Sequence, residues 1–444
     1  MARYLHYFQN QEDFEEAYNS GQYEEPWTSF VNDSGKTVTF DRETHYDVLR
    51  KKPLTFEILE DGFIYVYYDG ENNSYTKEIA YSINGGERIL DEATTDYTIE
   101  IEVSAGDKVQ FFGHDDFMSI IDSSSNEFLT YFGSDCEFKV EGNIMSLLDG
   151  DDFEDMTEFP DEDIRGIFKN LFNECEKLID AYDLVLPATA LTDYTYDSMF
   201  NDCVKLLAGP EILPATILAR DCYQYMFQGC TSLTKVPPLP ATTLATGCYD
   251  CMFDGCTSLV KAPVLPATTL ASSCYSNMFQ GCTSLTAAPE LPATTLVSSC
   301  YQYMFRGCTS LTTSPELRAT TLVQACYYNM FAGCTSLTTA PELPATTLVQ
   351  SCYYGMFDGC TSLTQAPELP AETLANYCYS YMFRDCTSLN YIKCLATNIS
   401  ANNSHINWVS GVQTTSGTFV KAADMASWPT GASGIPNNWS IIDA

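Results

Sequence analysis

Apolar positions recur along residues 165–394 with a period of 26 residues from Cys222 onwards, and with slightly longer steps before it, at Cys175 and Cys203. One repeat reads CYSNMFQGCTSLTAAPELPATTL at 274–296 and returns as CYQYMFRGCTSLTTSPELRATTL at 300–322. A period of this length is typical of a solenoid, in which each unit buries its apolar face only against its neighbours. The pattern therefore predicts about nine stacked coils, which would span roughly 45 Å at the spacing of β-strands.

Each predicted coil contains two kinds of segment. The LPATTL and LTxAPEL stretches combine Pro, Thr and Leu without helical periodicity, which indicates short extended pieces and tight corners. The CYxxMFxGC stretch places Cys, Met and Phe at i, i+4 and i+5, which predicts a single helical turn that ends at Gly. The fold class predicted from these repeats is mixed α/β, a solenoid with 26-residue coils.

The large apolar residues of the repeats form the predicted core. Burying one such side chain stabilises a fold by roughly 2 kcal/mol, so every coil needs its share. The Met-Phe pairs are Met226/Phe227, Met252/Phe253, Met278/Phe279, Met304/Phe305, Met330/Phe331, Met356/Phe357 and Met382/Phe383. The accompanying leucines are Leu233, Leu259, Leu285, Leu311, Leu337, Leu363 and Leu389. We interpret both rows as packing residues and not as a ligand site.

Residues 51–142 change to the alternating pattern of β-strands. YTIEIEV at 97–103 alternates Tyr, Ile, Ile and Val with Thr, Glu and Glu, and FIYVYY at 63–68 is a second strand-like run. DG, NGG and SAGD sequences supply the turns between such runs. These residues predict a small antiparallel β-sandwich domain ahead of the solenoid.

A stack of coils needs a lid at each end, because an open stack exposes an unpaired edge. Residues 143–175 are predicted to combine an acidic linker, DGDDFEDMTEFPDED at 149–163, with a helical cap that begins DIRGIFKNLF at 163–172. Residues 395–444 are predicted to form the C-terminal cap, with a sugar-binding aromatic platform as the alternative. They contain three of the four tryptophans, Trp408, Trp428 and Trp439.

Composition adds a strong asymmetry of charge. The chain has 444 residues, of which 45% are hydrophobic, and a formal net charge of −37. Residues 1–183 hold 43 of the 59 acidic residues, so this part carries −30 and the remainder −7. An acidic surface repels phosphate backbones, so we expect no nucleic-acid partner. No run of 18 apolar residues occurs, so we also expect no membrane insertion.

The 19 cysteines follow the repeat and not a pairing scheme. Two series have the 26-residue period: Cys222, Cys248, Cys274, Cys300, Cys326, Cys352, Cys378 and Cys230, Cys256, Cys282, Cys308, Cys334, Cys360, Cys386. The four histidines, His6, His45, His114 and His405, lie outside the regular repeats. We therefore expect buried thiols in ladders along the core, with no zinc site and no cofactor.

The repeated FxGCTSLT followed by LPATTL resembles the BspA-like leucine-rich repeats found in surface and phage-associated proteins of gut Bacteroidales. The resemblance covers about residues 165–394, and the segments 143–153 and 417–441 resemble sequences that flank such arrays. It implies adhesion or recognition by the surface of the repeats, with no catalytic residues to assign. Arg318 departs from the pattern, since it replaces the Pro of PELPATTL.

Candidate binding residues lie where the repeats differ, since the constant positions of a solenoid form its core. We define the variable face as the second, third and sixth residues after the first cysteine of each repeat. A surface that mixes Tyr, Asn, Gln, Asp and Arg suits recognition of a polymer or a protein, and a plain solvated face is the alternative. The candidate ligand-binding residues are Tyr225, Gln228, Asp254, Tyr303, Arg306, Tyr328, Tyr354, Tyr381 and Arg384.

A second row of side chains is acidic. Its members are Glu290, Glu316, Glu342 and Glu368. They would lie about 5 Å apart at strand spacing, which predicts an exposed solubilising edge, with calcium bridging as the alternative. Because this row is a repeating edge and not a single pocket, and the histidines lie outside the repeats, we expect no enzyme.

Residues 1–50 bear on where the protein works. YLHYFQNQEDFEEAYNSGQYEEPWTSFVNDSGKTVTF at 4–40 resembles N-terminal segments of virion and fibre-like proteins of Bacteroidales phages, which implies an anchoring or assembly segment that binds other virion proteins. The first residues lack the apolar core of a signal peptide. We therefore expect synthesis in the cytoplasm and a location in the virion, or outside the cell after lysis.

The sequence thus predicts a non-catalytic phage fibre or decoration protein whose solenoid binds a bacterial surface polysaccharide or protein. A homotrimer is among the assemblies considered. The alternative is a BspA-like cell-surface adhesin of a gut bacterium, and a polysaccharide-cleaving tail spike is less favoured.

Overall fold

The computed structural model describes residues 27–31, 37–68, 78–93, 98–113, 121–122, 127–128, 130–159, 163–412 and 416–444. The predicted anchoring segment, residues 1–50, is therefore described only in part. Most of the stretch 4–40, which carries the resemblance to virion proteins, lies outside the described residues.

The N-terminal part consists of short strands and one helix. A hairpin of β1 (Trp27–Val31) and β2 (Thr37–Asp41) leads into α1 (Arg42–Arg50). The strands that follow are β3 (Leu54–Ile58), β4 (Gly62–Tyr68), β5 (Glu78–Ile83), β6 (Ile89–Glu92), β7 (Thr98–Val103), β8 (Lys108–Phe112), β9 (Ile121–Asp122), β10 (Glu127–Phe128), β11 (Thr130–Ser134) and β12 (Phe138–Asn143). The strands predicted at 63–68 and 97–103 are confirmed as β4 and β7.

These strands form two main sheets. One has the order β11-β4-β7 and is antiparallel, and the other has the order β13-β12-β3-β8-β5-β6, where β13 is Leu178–Asp180. The sheets pack through aromatic rings, because the ring of Phe132 in β11 lies 5.0 Å from that of Phe56 in β3 and 4.8 Å from that of Phe111 in β8. Apolar residues at alternate positions of the strands fill this contact.

The acidic run does not separate two bodies, because the sheets and the repeats share one core. β12 pairs in parallel with β13 and with β14 (Leu184–Val185), which are extended pieces of the first coil. Phe172 of that coil lies 5.9 Å from Phe56 and 5.8 Å from Phe132, centroid to centroid. The run itself includes the 3-10 helix Phe153–Asp155, which follows a 3-10 helix at Ile144–Leu147. The sheets therefore cover the first coil directly.

The helical turn predicted in each repeat is not formed. In residues 221–230 the N–H groups of odd-numbered residues donate to carbonyls of the next coil, as Tyr223 does to Cys248 at 3.0 Å. Even-numbered residues from 224 onwards donate to the carbonyl three positions earlier, as Met226 does to Tyr223. Every fourth residue has a positive φ, namely Asp221, Tyr225 and Gly229. The segment is thus a series of turns bonded to its neighbour.

The helix predicted at the start of the array is replaced in the same way. Residues 163–175 form turns, and the N–H of Phe172 donates to the carbonyl of Met199 in the next coil at 2.9 Å. The described residues contain the single α-helix α1. The described part of the chain is therefore mostly β with few helices, and the mixed α/β class expected from the sequence is not confirmed. No helix in the described part of the chain has the length and apolar character needed to cross a membrane.

Successive repeats stack their aromatic rings in two columns. The phenylalanine rings from Phe200 to Phe383 follow one another at 5.3 to 5.8 Å, with almost parallel planes. The tyrosine rings from Tyr196 to Tyr379 do the same at 5.7 to 6.2 Å. The predicted Met, Phe and Leu rows are all buried, which confirms the predicted core. The tyrosine column was not predicted, although a Tyr follows the first cysteine in every regular repeat.

All 19 cysteines are buried free thiols, as the repeat pattern predicts. In each coil the Sγ of the second cysteine donates to the phenylalanine carbonyl of the preceding coil, as Cys256 does to Phe227 at 3.1 Å. Burial raises the pKa of Cys222 to about 12 and that of Cys300 to about 11. The thiols are core residues that stay protonated at neutral pH.

The C-terminal end is closed by tryptophans and a small parallel sheet. This sheet has the order β15 (Tyr391–Cys394), β16 (Thr418–Lys421) and β17 (Ser440–Asp443). The ring of Trp408 continues the tyrosine column at 6.4 Å from Tyr379, and Trp428 stacks on Trp408 at 5.6 Å. Trp408, Trp428 and Trp439 are all buried. This arrangement suits a cap and leaves no exposed tryptophan platform.

Candidate ligand-binding surface

The variable face consists of the less buried residues of the turn segment, in which two buried residues alternate with two that are half-buried. Gln224, Tyr225 and Gln228 are half-buried, whereas the other side chains of residues 222–230 are buried: Cys222, Tyr223, Met226, Phe227 and Cys230. The bonds between coils set equivalent residues of successive coils side by side. Of the nine candidate residues, Arg306 is exposed and the other eight are half-buried.

The part of the face nearer the N-terminus is a row of hydrogen-bonded polar side chains. Asp254 accepts from the amide of Gln228 at 3.1 Å and from that of Gln280 at 3.3 Å. The guanidinium of Arg306 then donates to the Oε1 of Gln280 at 3.5 Å. Burial raises the pKa of Asp254, and the two glutamines and Arg306 oppose this effect. Four successive coils are thus linked by one chain of side-chain contacts.

Asp250 lies one turn before Asp254 and has a similar environment. It accepts from Asn277 at 3.4 Å and from Gln224 at 3.4 Å, and burial raises its pKa. Tyr225, the candidate tyrosine in this half, is beside it, and burial together with Cys251 and Asp250 raises the Tyr225 pKa to about 12. Tyr225 is therefore a neutral hydroxyl at physiological pH and stands apart from the other candidate tyrosines.

The part nearer the C-terminus is a row of four tyrosines. Tyr328 and Tyr354 stack with centroids 4.5 Å apart and planes 4° apart. Tyr303 meets Tyr328 edge-on at 5.4 Å, and Tyr381 lies 5.3 Å from Tyr354 at a tilt of 52°. All four rings are half-buried, and the two central rings cover each other's faces. Such pre-packed rings lose little side-chain entropy when a partner binds.

An arginine lies at each end of the tyrosine row. The guanidinium of Arg306 is 5.4 Å from the ring centroid of Tyr303, and that of Arg384 is 4.9 Å from the ring of Tyr381. Arg384 also forms a two-point ion pair with Asp358 of the preceding coil. Arg306 forms no salt bridge among the described residues, and its guanidinium contacts Gln280 and the ring of Tyr303 instead.

The sequence placed the tyrosines, the arginines, Gln280 and Asp358 on the variable face, but it did not predict that Gln280 and Asp358 hold the arginines. Gln280 bridges Asp254 and Arg306, and Asp358 fixes Arg384. Both belong to the variable face. Their role could have been found by comparing each residue with the one 26 positions away, since both bonds to arginine join residues with that separation.

The acidic row lies elsewhere on the coils and is exposed, as expected. Glu316 pairs with Arg318 at 2.9 Å, and Glu368 pairs with Lys393 at 3.0 Å. The departure at Arg318 is therefore accounted for by a contact within its own coil. In the described part of the chain, no group of three or more His, Cys, Asp or Glu side chains is placed to hold a metal ion.

Comparison with known proteins identifies the repeats. The family described as BspA type leucine rich repeat region matches residues 214–338 and 298–407, in six copies. Among solved structures, a leucine-rich repeat protein from Bacteroides ovatus is 17% identical, and the match covers 62% of this chain and 86% of that one, with a TM-score of 0.24. No curated protein matches the chain.

Proposed function

We propose that this protein, whose residues 214–407 are BspA-type leucine-rich repeats, is a non-catalytic recognition protein. In this proposal the repeats form a rigid solenoid that presents the variable face to a bacterial surface polysaccharide or protein. The matched family consists of repeats, and no enzyme family was matched.

The tyrosine row with its two arginines is the observation that carries this proposal. Tyr and Arg are the residues most enriched at the energetic centres of protein interfaces. Here Tyr328 and Tyr354 are already stacked, and Arg384 is already fixed by Asp358, before any ligand is present. A surface organised in advance binds with less loss of conformational freedom.

We further propose that the protein is a fibre or decoration protein of a phage virion. Support comes from the resemblance of residues 4–40 to virion and fibre-like proteins of Bacteroidales phages. The alternative is a cell-surface adhesin of a gut bacterium, and the family match is consistent with that role. A polysaccharide-cleaving spike has less support, because the matched family is a family of repeats.

Loss of the tyrosine row tests the recognition role. We expect the double variant Tyr328→Ala, Tyr354→Ala to bind intact gut Bacteroidales cells roughly 30-fold more weakly, because removal of an interface centre costs at least about 2 kcal/mol. Flow cytometry with labelled protein measures this binding. Glu342→Ala, a truncation on the exposed acidic row of the same part of the array, is the matched control and should bind normally. If the unaltered protein, the double tyrosine variant and Glu342→Ala all bind equally well, the variable face is not the binding surface.

The location is tested independently of the ligand. Mass spectrometry of purified phage particles should detect this protein if it belongs to the virion. Detection on intact bacterial cells, with none in particles, would instead support the adhesin.

A further inference from the structure

No described strand pairs with the outer edge of β17, the strand that ends the C-terminal sheet. β17 is the outer strand of the parallel sheet β15-β16-β17, and each of its residues is exposed. Ile441 and Ile442 keep 48% and 49% of their surface exposed, among the larger exposed apolar residues of the described chain. Exposed edge strands are templates for pairing with another strand unless charge, proline or a bulge protects them.

The hydrogen bonds of β17 show which of its backbone groups are available. The N–H of Ser440 donates to Gly417 at 2.8 Å, and the N–H of Ala444 donates to Lys421 at 2.8 Å. Because the backbone groups of successive residues in a strand point to opposite sides, the even-numbered residues face β16. The N–H and C=O groups of Ile441 and Asp443 therefore point away from the sheet.

A second edge strand with exposed apolar residues serves as a comparison. β6 is the outer strand of the larger N-terminal sheet, and Ile89 and Leu90 are 46% and 51% exposed. Its other residues, Asp91 and Glu92, are both acidic, and it belongs to the part of the chain with a charge of −30. Two copies of this edge would repel each other.

The C-terminal edge lacks that repulsion. Residues 395–444 contain one lysine and two aspartates. Asp443, the single charged residue of β17, forms an ion pair with Lys421 of the neighbouring strand. Contact between two C-terminal ends would also hold the acidic N-terminal parts of two molecules far apart.

We propose that β17 pairs antiparallel with β17 of a second copy of this chain, which joins two arrays at their C-terminal ends. Antiparallel partners must both direct their backbone groups across the pair, so Ile441 lies opposite Asp443 of the second copy. The two-fold axis then passes between the two Ile442 residues, whose side chains meet. This register forms four backbone hydrogen bonds and unites two three-stranded sheets into one of six strands.

The proposal goes beyond the recognition role and does not rest on it. Pairing through β17 uses no residue of the variable face. A dimer of this kind would carry two recognition surfaces, and two linked sites bind a surface more strongly than one. Ligand binding and dimer formation can each fail without the other.

Sedimentation velocity over a wide concentration range tests the pairing. We expect the full chain to form a dimer as concentration rises, and Ile442→Lys to remain monomeric because two lysines would meet at the axis. Ile441→Pro should also be monomeric, since it removes an N–H that points away from β16 and leaves the bonds of β17 to β16 intact. Leu90→Lys, the same type of change on β6, is the matched control and should still dimerise. Circular dichroism checks that every variant is folded.

A cysteine introduced at the axis tests the register. Directly opposed residues that are not hydrogen-bonded to each other have Cα atoms about 4.5 Å apart, which is within reach of a disulfide. Ile442→Cys should therefore cross-link two chains under mild oxidation, whereas Ile441→Cys should not, because the two Ile441 residues are offset. The native thiols are buried, so they should form no disulfides between chains in either variant. A chain that stays monomeric at all concentrations, or dimers that survive both Ile442→Lys and Ile441→Pro, would overturn the proposal.

Discussion

At the scale of single residues, cysteine suits the core because it is small and apolar and carries one weak donor. Cys256 has no exposed surface, and its Sγ donates to the carbonyl of Phe227. A valine at this position would remove the donor, and a serine would bury a more polar group. The same contact recurs in successive coils, for example from Cys282 to Phe253 at 3.1 Å, which explains why the second cysteine series keeps the period of the repeat.

Glycine at positions of positive φ gives a residue-scale prediction. Gly307 has a φ of 75° and room for a Cβ, whereas a Cβ on Gly355, which has a φ of 55°, would lie 1.9 Å from the Oδ1 of Asn329. We expect Gly307→Ala to lower the free energy of unfolding by about 1–2 kcal/mol, the cost of a left-handed alanine. Gly355→Ala should cost more, because it adds a steric clash. Chemical denaturation measures both.

The clash has its own control. Asn329 also has a positive φ, so Asn329→Gly removes the obstructing side chain without adding backbone strain. In the double variant with Gly355→Ala, the cost should fall to that of Gly307→Ala. If Gly307→Ala and Gly355→Ala lower the free energy of unfolding equally, the contact with Asn329 does not destabilise the Gly355→Ala variant.

At the scale of elements, the coil depends on bonds to its neighbours. The spacing of Cys, Met and Phe in CYxxMFxGC fits one face of a helical turn, and that interpretation was wrong. Beyond its first turn, a helix directs its N–H groups to carbonyls of its own segment, whereas here alternate N–H groups, such as those of Tyr223 and Phe227, donate to the next coil. Side-chain spacing alone does not distinguish the two arrangements, because both bury the same residues.

Removal of one whole repeat tests this dependence. Deletion of residues 283–308 joins Cys282 to Thr309 and keeps the repeat in register. We expect a folded protein that is shorter by about 5 Å, the spacing of one strand. Circular dichroism and the maximum dimension from small-angle scattering measure the outcome.

A deletion of half a repeat is the matched control. Removing residues 296–308 would place the extended part of one coil against the turns of the next, so that both the bonds and the ring columns lose their partners. We expect this chain to unfold or aggregate. The dependence on register would be refuted if the two deletions had the same effect.

At the scale of the whole molecule, one apolar core extends from the N-terminal sheets to the C-terminal tryptophans. Phe172 joins the sheets to the phenylalanine column, and Trp408 ends the tyrosine column. The two ends are thus covered by different means, by sheets at one end and by stacked indoles with a small sheet at the other. The repeats therefore share their core with the N-terminal strands.

The buried thiols predict how stability responds to alkaline pH. Burial raises the pKa of Cys222, Cys308 and Cys352 to about 12, whereas an unfolded thiol ionises near 8.5. Above that pH the folded state holds more protons than the unfolded state, so stability is full below it and falls as pH rises. In this range each such thiol lowers the free energy of unfolding by about 1.4 kcal/mol per pH unit. Because many thiols act together, we expect cooperative unfolding within about one pH unit above pH 9.

Circular dichroism and thiolate absorbance during an alkaline titration should change together. Thiols that ionise gradually while the fold persists would show that they are not enclosed. At neutral pH, alkylating reagents should modify few cysteines in the folded protein and all 19 after denaturation.

The sequence by itself determined the period of the array, its core rows, the burial of the cysteines and the main strands ahead of the repeats. Each of these follows from local patterns or from identity between residues 26 positions apart, as for Met226 and Met252. Such identity requires that equivalent side chains face the same neighbours, because each coil buries its apolar residues only against the coils beside it.

The tertiary structure decided those features that depend on contacts between residues far apart in the chain. It replaced the helical turns by turns bonded between coils, packed Phe172 against Phe56 and Phe132, and selected four of the five candidate tyrosines as one contiguous row. The open edge of β17 also appears only after the strands are paired. The physical reason is that hydrogen bonds and ring contacts between coils depend on three-dimensional neighbours, whereas the sequence pattern records only which side chains must be buried.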